Sequence, residues 1–421
     1  MASDRHVLIA GGGIAGLTAA LTLAHAGMRV SVFEQAGRLE EAGAGIQLTP
    51  NATRILLALG LGERLRVTAV EPAAIRVMAG GSAREIVRIP LGPYAEKRYG
   101  APYWVIHRGD LQNALADAAR VHSDITLSLA TRVEDFAVHR NGVSVQGRRA
   151  GQVVEERAMA LIAADGVWSG VRSLLRRQSG PTFRHRTAWR AIVPAQELPP
   201  QWQTPYVHLW LGPDSHLVHY PVKAGALINI VAIVDDEWRE EGWSATGEPH
   251  EIMRHFARWS WAEEARRLVA VPQRWQKWAL YDRKTPARGS GPVALIGDAA
   301  HPTLPFLAQG GAMAIEDAAV LAAGFAQNAD NPALAIRAYE RARRKRIAKV
   351  QRIARKQGRI YGRTGPEALI RNVVMKSLGG ERLLARYDWL FGWQPPVFES
   401  AQRYVTKLGG TDGDLDDAQE S

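Results

Sequence analysis

The sequence predicts an α/β fold: a Rossmann-like nucleotide-binding unit, an inserted and mainly antiparallel β-sheet, and helices toward the C-terminus. Three observations carry this. A glycine turn, Gly11-Gly12-Gly13-Ile14-Ala15-Gly16, separates an apolar run at 6–10 from a helical pattern at 17–26. Between 180 and 235, short β-rich runs alternate with Gly, Pro and Asp turns. From 293 the chain returns to strand–turn–helix pattern, and Ala- and Leu-rich helical stretches follow from 312.

The elements follow in order. Residues 6–10 read as a buried strand and 17–26 as a helix ended by Gly27. Residues 29–33 form the next strand. Glu34 closes it, roughly 20 residues past the glycines, where a carboxylate can accept hydrogen bonds from a ribose. The glycines let backbone approach a pyrophosphate, and the helix N-terminus offers it free N–H groups. A strand at 102–106 precedes a helix at 111–119 with Asp110 as its cap. Residues 133–139 and 143–146 flank Asn141-Gly142, a hairpin signal. A strand at 159–163 ends in a turn at Asp165. Strands at 187–194, 206–211, 217–221 and 227–234 make the inserted sheet. The polar, acidic tail at 409–421 reads as disordered.

Composition narrows the chemistry. The 421 residues suffice for two units sharing an interface, and 46% are apolar. There is no cysteine, which excludes disulfides, zinc–thiolate sites and thiol nucleophiles. No metal motif is present, so redox chemistry must come from a bound cofactor. No apolar run is long enough to cross a bilayer, and no signal peptide is evident, so a cytoplasmic protein without membrane insertion is expected. Lys and Arg number 53 against 42 Asp and Glu, a net charge of +11. Much of the excess lies between Arg337 and Arg359, and its pattern reads as a basic solvated helix face. No nucleic-acid-binding motif accompanies it.

Two further turns select a flavin. Ala164-Asp165-Gly166-Val167-Trp168-Ser169-Gly170-Val171-Arg172 follows the strand at 159–163, and Gly297-Asp298-Ala299-Ala300-His301-Pro302 follows one at 293–296. Both stand where α/β folds place ligands. Asp298 can accept from sugar-type hydroxyls. Gly310-Gly311-Ala312 open a helix, and their N–H groups can stabilise the negative charge of a reduced flavin. His301 beside them reads as structural.

In this order and spacing, the motifs resemble the single-component, class A FAD-dependent aromatic hydroxylases. The likeness is strongest to the salicylate, 3-hydroxybenzoate and 6-hydroxynicotinate hydroxylases. Segments 43–51, 107–111, 216–221 and 388–392 share it. The resemblance implies a glutathione-reductase-type FAD-binding domain in three pieces, 1–70, 101–180 and 275–365. A substrate-binding sheet domain would comprise 71–100 and 181–274, and a helical region 366–408. Non-covalent FAD would be held by Gly11, Gly13, Ala15 and Gly16, with Glu34 on the adenosine ribose. Arg108 and Asp298 would hold the ribityl–pyrophosphate region, and Gly311 and Ala312 the pyrimidine edge. Gln47 joins these cofactor contacts. Asp165, with Arg172, would lie in a turn linked to FAD and NAD(P)H. NADH or NADPH would dock transiently, since no second glycine motif is present. A homodimer is left open.

The same resemblance implies hydroxylation of a small phenolic aromatic acid by O2 through a flavin C4a-hydroperoxide. His216, Val218 and Tyr220 share one strand face, and Leu217, His219 and Pro221 the other. His216 and Tyr220 would face the substrate ring and help remove the phenolic proton. Pro305 would lie over the flavin with its carbonyl near the reacting centre. Arg190 is a candidate fork for a substrate carboxylate, or an outward-facing strand residue. Pro305 stands where 3-hydroxybenzoate 6-hydroxylases carry Gln, and Gln47 where 6-hydroxynicotinate enzymes carry His. A salicylate-like substrate therefore leads by subtraction, with the other two as alternatives. A halogenase is disfavoured because Ala262-Glu263 follow Trp259-Ser260-Trp261 in place of the halogenase signature. A redox-inactive, flavin-binding regulatory protein is the alternative from another class.

Overall fold

The computed structural model describes residues 5–39, 44–175, 180–240, 242–256 and 261–396. Gly43, the Trp259-Ser260 pair and the tail at 409–421 lie outside the described residues. Among the described residues, a five-stranded parallel sheet runs in the order Val293–Leu295, Ala160–Ala163, His6–Ala10, Arg29–Phe33, Ile125–Ser128. Its strands are short apolar runs because both faces are covered. Val7 and Ile9 pack under the helices Ile14–His25 and Gly310–Gln327. Leu8 and Ala10 face the opposite way, toward Val143 and Val145 of a three-stranded antiparallel sheet. No helix among the described residues is long and apolar enough to cross a membrane.

The inserted sheet is larger than the sequence suggested. It has eight strands, ordered Ser244–Gly247, Trp275–Asp282, Thr182–Pro194, Leu227–Asp235, Ser215–Val222, Tyr206–Gly212, Ala74–Ala79, Glu85–Pro90. All neighbours are antiparallel except Tyr206–Gly212 beside Ala74–Ala79. One face is a dry core in which Leu217, Ile228 and Ile230 pack with Trp189, Trp210 and Trp275. The strand expected at 187–194 begins at Thr182. A register shift between Phe183 and Thr187, with His185 at φ +53°, breaks the alternation that would have revealed its start.

Two local expectations are corrected. The helix Arg108–Val121 is capped by His107, whose Nδ1 accepts from Gly109 N at 3.2 Å, rather than by Asp110. Asp110 pairs with Lys223 at 2.5 Å. The basic segment is also not simply a solvated face. In the helix Pro332–Tyr361, Arg343 is 1% exposed and bonds Glu316 at 2.5 Å and Asp317 at 2.7 Å. Arg346 bonds Glu316 at 2.7 Å, and Arg355 bonds Asp282 at 2.6 Å. Buried carboxylates need cations, and this helix supplies them from its inner side.

Candidate active site

The three glycine-rich turns meet. A Cβ on Gly11 would stand 2.5 Å from the Ala164 carbonyl oxygen, and one on Gly16 would stand 1.8 Å from the Gly11 oxygen. Gly11 also has φ +107°, so only glycine fits there. A Cβ on Gly297 would come 3.1 Å from Ala314 Cβ and 3.2 Å from Ala15 Cβ. The third turn is therefore wedged between the two helix N-termini. By contrast, Cβ atoms on Gly13 and Gly310 would meet nothing within 4 Å. Two helix starts with unpaired N–H groups thus open onto free space, which suits an anionic dinucleotide.

The carboxylates around this cradle are braced. Glu34 accepts from Gly12 N at 2.6 Å and Ala36 N at 2.8 Å. Asp165 accepts from Val171 N at 3.1 Å, while its other oxygen is buried without a partner. Arg172 donates to the carbonyls of Ala299 at 2.9 Å and Val167 at 2.6 Å, tying two motifs together. Asp298 is exposed, yet burial raises its pKa against the pull of His301, Arg108 and Arg190. A side chain lining an enclosed but solvent-reached cleft shows both features.

Beneath the cradle lies a buried polar network. Asp317 accepts from Gly297 N at 2.9 Å and bonds His301 Nε2 at 2.5 Å, so His301 is structural. Burial alone would raise Asp317, but His301 and Arg343 hold it down to about 2. Asn51 donates to Gln309 at 3.1 Å and to Glu316 at 2.5 Å, and Gln309 donates to Thr49 at 3.0 Å. The segment before Gly310 and the turn before Asp298 are thereby held in one frame.

The large sheet turns its other face toward this cleft. Pairing across Ser215–Val222, Leu227–Asp235 and Thr182–Pro194 gives three rows: Tyr220–Asn229–Ile192, Val218–Val231–Arg190 and His216–Ile233–Ala188. Val218, Val231, Arg190 and Ile192 are half-buried, whereas most side chains of the opposite face are buried. Arg190 does not point outward to solvent. Its guanidinium lies 5.1 Å from the Trp278 ring, and its Nε is buried without a partner. Burial, then Arg108, lowers its pKa, while Tyr220 and Asp298 oppose this, so Arg190 sees both the floor and the cradle. His216 stands 5.3 Å from Phe306 and 5.3 Å from Tyr361. Burial pushes His216 down to about 3, so its ring is neutral near pH 7.

The comparisons with known proteins follow this geometry. The family described as FAD binding domain matches residues 4–354. A 3-hydroxybenzoate 6-hydroxylase of Polaromonas naphthalenivorans (strain CJ2) is 36% identical over 392 residues, 93% of this chain and 96% of the relative. The 3-amino-4-hydroxybenzoate 2-monooxygenase PtmB3 of Streptomyces platensis is 36% identical over 391 residues, 92% of this chain and 96% of the relative. A solved salicylate hydroxylase substrate complex superposes with TM-score 0.78 at 27% identity, covering 96% of this chain and 98% of that one. The chain belongs to the class A FAD-dependent aromatic hydroxylases.

In this hydroxylase, the residues expected to contact FAD surround one cleft. Gly11, Gly13, Ala15 and Gly16 form its first turn, Asp298 its third, and Gly311 and Ala312 open the helix Gly310–Gln327. Arg108 starts the helix Arg108–Val121 within electrostatic reach of Arg190 and Asp298. Gln47, on the strand Gly45–Leu48, accepts from the Tyr103 hydroxyl at 2.5 Å. The Pro305 carbonyl accepts from Ala308 N at 3.0 Å, so it closes its own turn, and Phe306 is the ring beside His216. His219 lies on the far face, stacked on His208 at 4.3 Å. Sequence reading missed Tyr103, Asn229, Trp278 and Tyr361, which come from distant segments and carry no motif, and gave no role to Phe306, although it lies in the third motif beside Pro305.

Asp298→Ala should weaken FAD retention with the fold intact. Losing one hydrogen bond to a charged acceptor costs about 1.5–3 kcal/mol, roughly tenfold to a hundredfold in affinity. Fluorescence titration of the apoprotein with FAD measures this. An unchanged dissociation constant would assign Asp298 to the turn alone.

Proposed function

We propose that the hydroxylase adds one oxygen atom of O2 to the ring of a hydroxylated benzoic acid, consuming NADH or NADPH. The observation that carries this reading is the floor: one guanidinium, Arg190, with a buried unpartnered Nε, set among Val218, Val231 and Ile192 and flanked by Tyr220 and His216. A planar acid with a phenolic hydroxyl satisfies both ends. The relatives named above support the class, since they act on hydroxybenzoates. Salicylate and 3-hydroxybenzoate are its two members to test first.

The cradle fits FAD by its open helix starts and by the glycines that no side chain could replace. Bound FAD would supply the two-electron reduction and the activation of O2. Glu34 would take the adenosine ribose. Gly11, Gly13, Ala15 and Gly16 would line the pyrophosphate, and Arg108 and Asp298 the ribityl chain. Gly311 and Ala312 would donate to the pyrimidine edge, and Asp165 would shape the turn that NAD(P)H approaches. Arg190 would hold the carboxylate through charge-assisted hydrogen bonds. Tyr220 or the neutral His216, at opposite ends of the strand face, would hydrogen-bond the phenolic oxygen and help its proton leave, because an ionised ring is richer in electrons. The substrate unit would comprise residues 71–100 and 181–274.

Arg190→Met should raise KM for 3-hydroxybenzoate and salicylate roughly tenfold to a hundredfold, the worth of a charge-assisted hydrogen bond of about 1.5–3 kcal/mol. KM for the corresponding hydroxybenzyl alcohols should hardly move. Equal effects on acids and alcohols would place Arg190 with the cofactor instead.

A further inference from the structure

Thr49, Asn51 and Gln309 are buried and close a ring of hydrogen bonds. The Thr49 hydroxyl donates to Asn51 Oδ1 at 2.6 Å. The Asn51 NH2 group donates to Gln309 Oε1 at 3.1 Å, and the Gln309 NH2 group donates back to Thr49 Oγ1 at 3.0 Å. Glu316, which accepts from Arg343 and Arg346, also takes a bond from Asn51 Nδ2 at 2.5 Å. The Asn51 amide must therefore turn its NH2 group to Glu316 and its carbonyl to Thr49, which fixes the direction of the ring. The ring joins two segments at the cleft. Thr49 follows the strand Gly45–Leu48, and Gln309 precedes the helix Gly310–Gln327. A Cβ on Gly311 would come 2.6 Å from Ile46 Cδ1, so that strand lies against the helix start. The turn before the helix is strained. Ala308 has φ +52°, a left-handed conformation that alanine keeps only where its surroundings hold it. The Gln309 NH2 group also reaches the Leu307 carbonyl at 3.4 Å, so its side chain brackets Ala308.

From these contacts we infer that Thr49, Asn51 and Gln309 are positioning residues: their ring fixes where the N–H groups of Gly310, Gly311 and Ala312 point, and through them the reduction potential of the bound flavin. The inference rests on the reading that the pyrimidine edge of FAD meets this helix start. The first N–H groups of a helix have no partner within it, so their direction is set by the segment that leads in. Here that segment is the strained turn, and the ring is what holds it. A reduced flavin carries negative charge at its pyrimidine edge, so donors aimed there favour the reduced form over the oxidised one. Loosening the ring lets the turn relax and the donors lose their aim, and the reduced form is then less favoured.

The test is a spectroscopic redox titration of the FAD-loaded enzyme against a reference dye. Thr49→Val keeps the shape of the side chain and removes the hydroxyl, which breaks two bonds of the ring without touching the cleft. It should favour the reduced flavin roughly threefold to tenfold less than wild type, the worth of a neutral hydrogen bond. For a two-electron couple that is a fall of about 15–30 mV. Gln309→Met should fall at least as far, because it removes both arms of the amide. Thr49→Ser restores the hydroxyl and should keep the wild-type potential. Thr49→Val and Thr49→Ser decide the matter should Gln309→Met not fold. If Thr49→Val unfolds at lower denaturant but keeps the wild-type potential, the ring only supports the fold and the positioning role is overturned. A fall in Thr49→Ser as large as in Thr49→Val would overturn it equally. The wild-type protein tests the underlying reading, which requires a potential above that of free FAD. If the wild-type potential is not above it, the placement of the pyrimidine edge at this helix start fails, and the role of the ring fails with it.

Discussion

Tyr220→Phe and His216→Ala should each lower the rate of hydroxylation by about 10²–10⁴, the usual worth of a proton-handling partner, while NAD(P)H is still oxidised. The two side chains stand at either end of one strand face, with Val218 between them and Arg190 two strands away in that middle row. The glycine turns that fit FAD lie on other segments. Neither substitution removes a group of the cradle, so electrons should still enter and leave as H2O2. His216 is neutral at the working pH, because burial holds it near 3, and can accept a hydrogen bond that a cation could not. The measurements are product by chromatography and peroxide by a coupled assay, each relative to NAD(P)H consumed. Wild-type ratios in both variants would mean that the substrate face is misassigned. His219 would then be the residue to test, although it is packed between His208 and Trp202 on the far side.

Arg343→Met should lower the stability of the fold by about 3–5 kcal/mol, since it leaves a buried charge pair without its partner. Glu316 and Asp317 are fully buried, and Arg343 bonds both. The loss is a large share of a domain stability of roughly 5–15 kcal/mol. It should also depend on pH. Asp317 is held near 2, below its value in the unfolded chain. Its contribution is therefore complete above about pH 4 and is lost as pH falls toward 2. The deficit of the variant, measured by denaturant unfolding, should narrow as pH falls from 4. A deficit below 1 kcal/mol at pH 7 would show that Arg346 and His301 suffice for the two carboxylates.

The cofactor cradle was legible because its demands are local. Gly11 needs a left-handed φ and Gly16 a bare Cα, and both needs are written into consecutive residues. The period-two reading of 216–222 put His216 and Tyr220 together and His219 opposite, which the register bears out. The partners of those residues were not legible. Asn229 joins Tyr220 by strand pairing, and Tyr103 reaches Gln47 only because Trp104–His107 pairs with Gly45–Leu48. Arg343 looked solvated among its charged neighbours, because the acids that bury it come from another helix. The start of Thr182–Pro194 was hidden by Arg184, His185 and Arg186 and by the register shift there.

The central claim is that the chain uses FAD to place one atom of O2 on a hydroxybenzoate ring. Purified protein, reconstituted with FAD, should be incubated under 18O2 with NADH or NADPH and with 3-hydroxybenzoate or salicylate, and the products analysed by mass spectrometry. The account predicts a yellow protein and a dihydroxylated aromatic product carrying one 18O atom per molecule. A protein that does not take up FAD, or one that turns NAD(P)H and O2 only into H2O2 across the hydroxybenzoates, would contradict it.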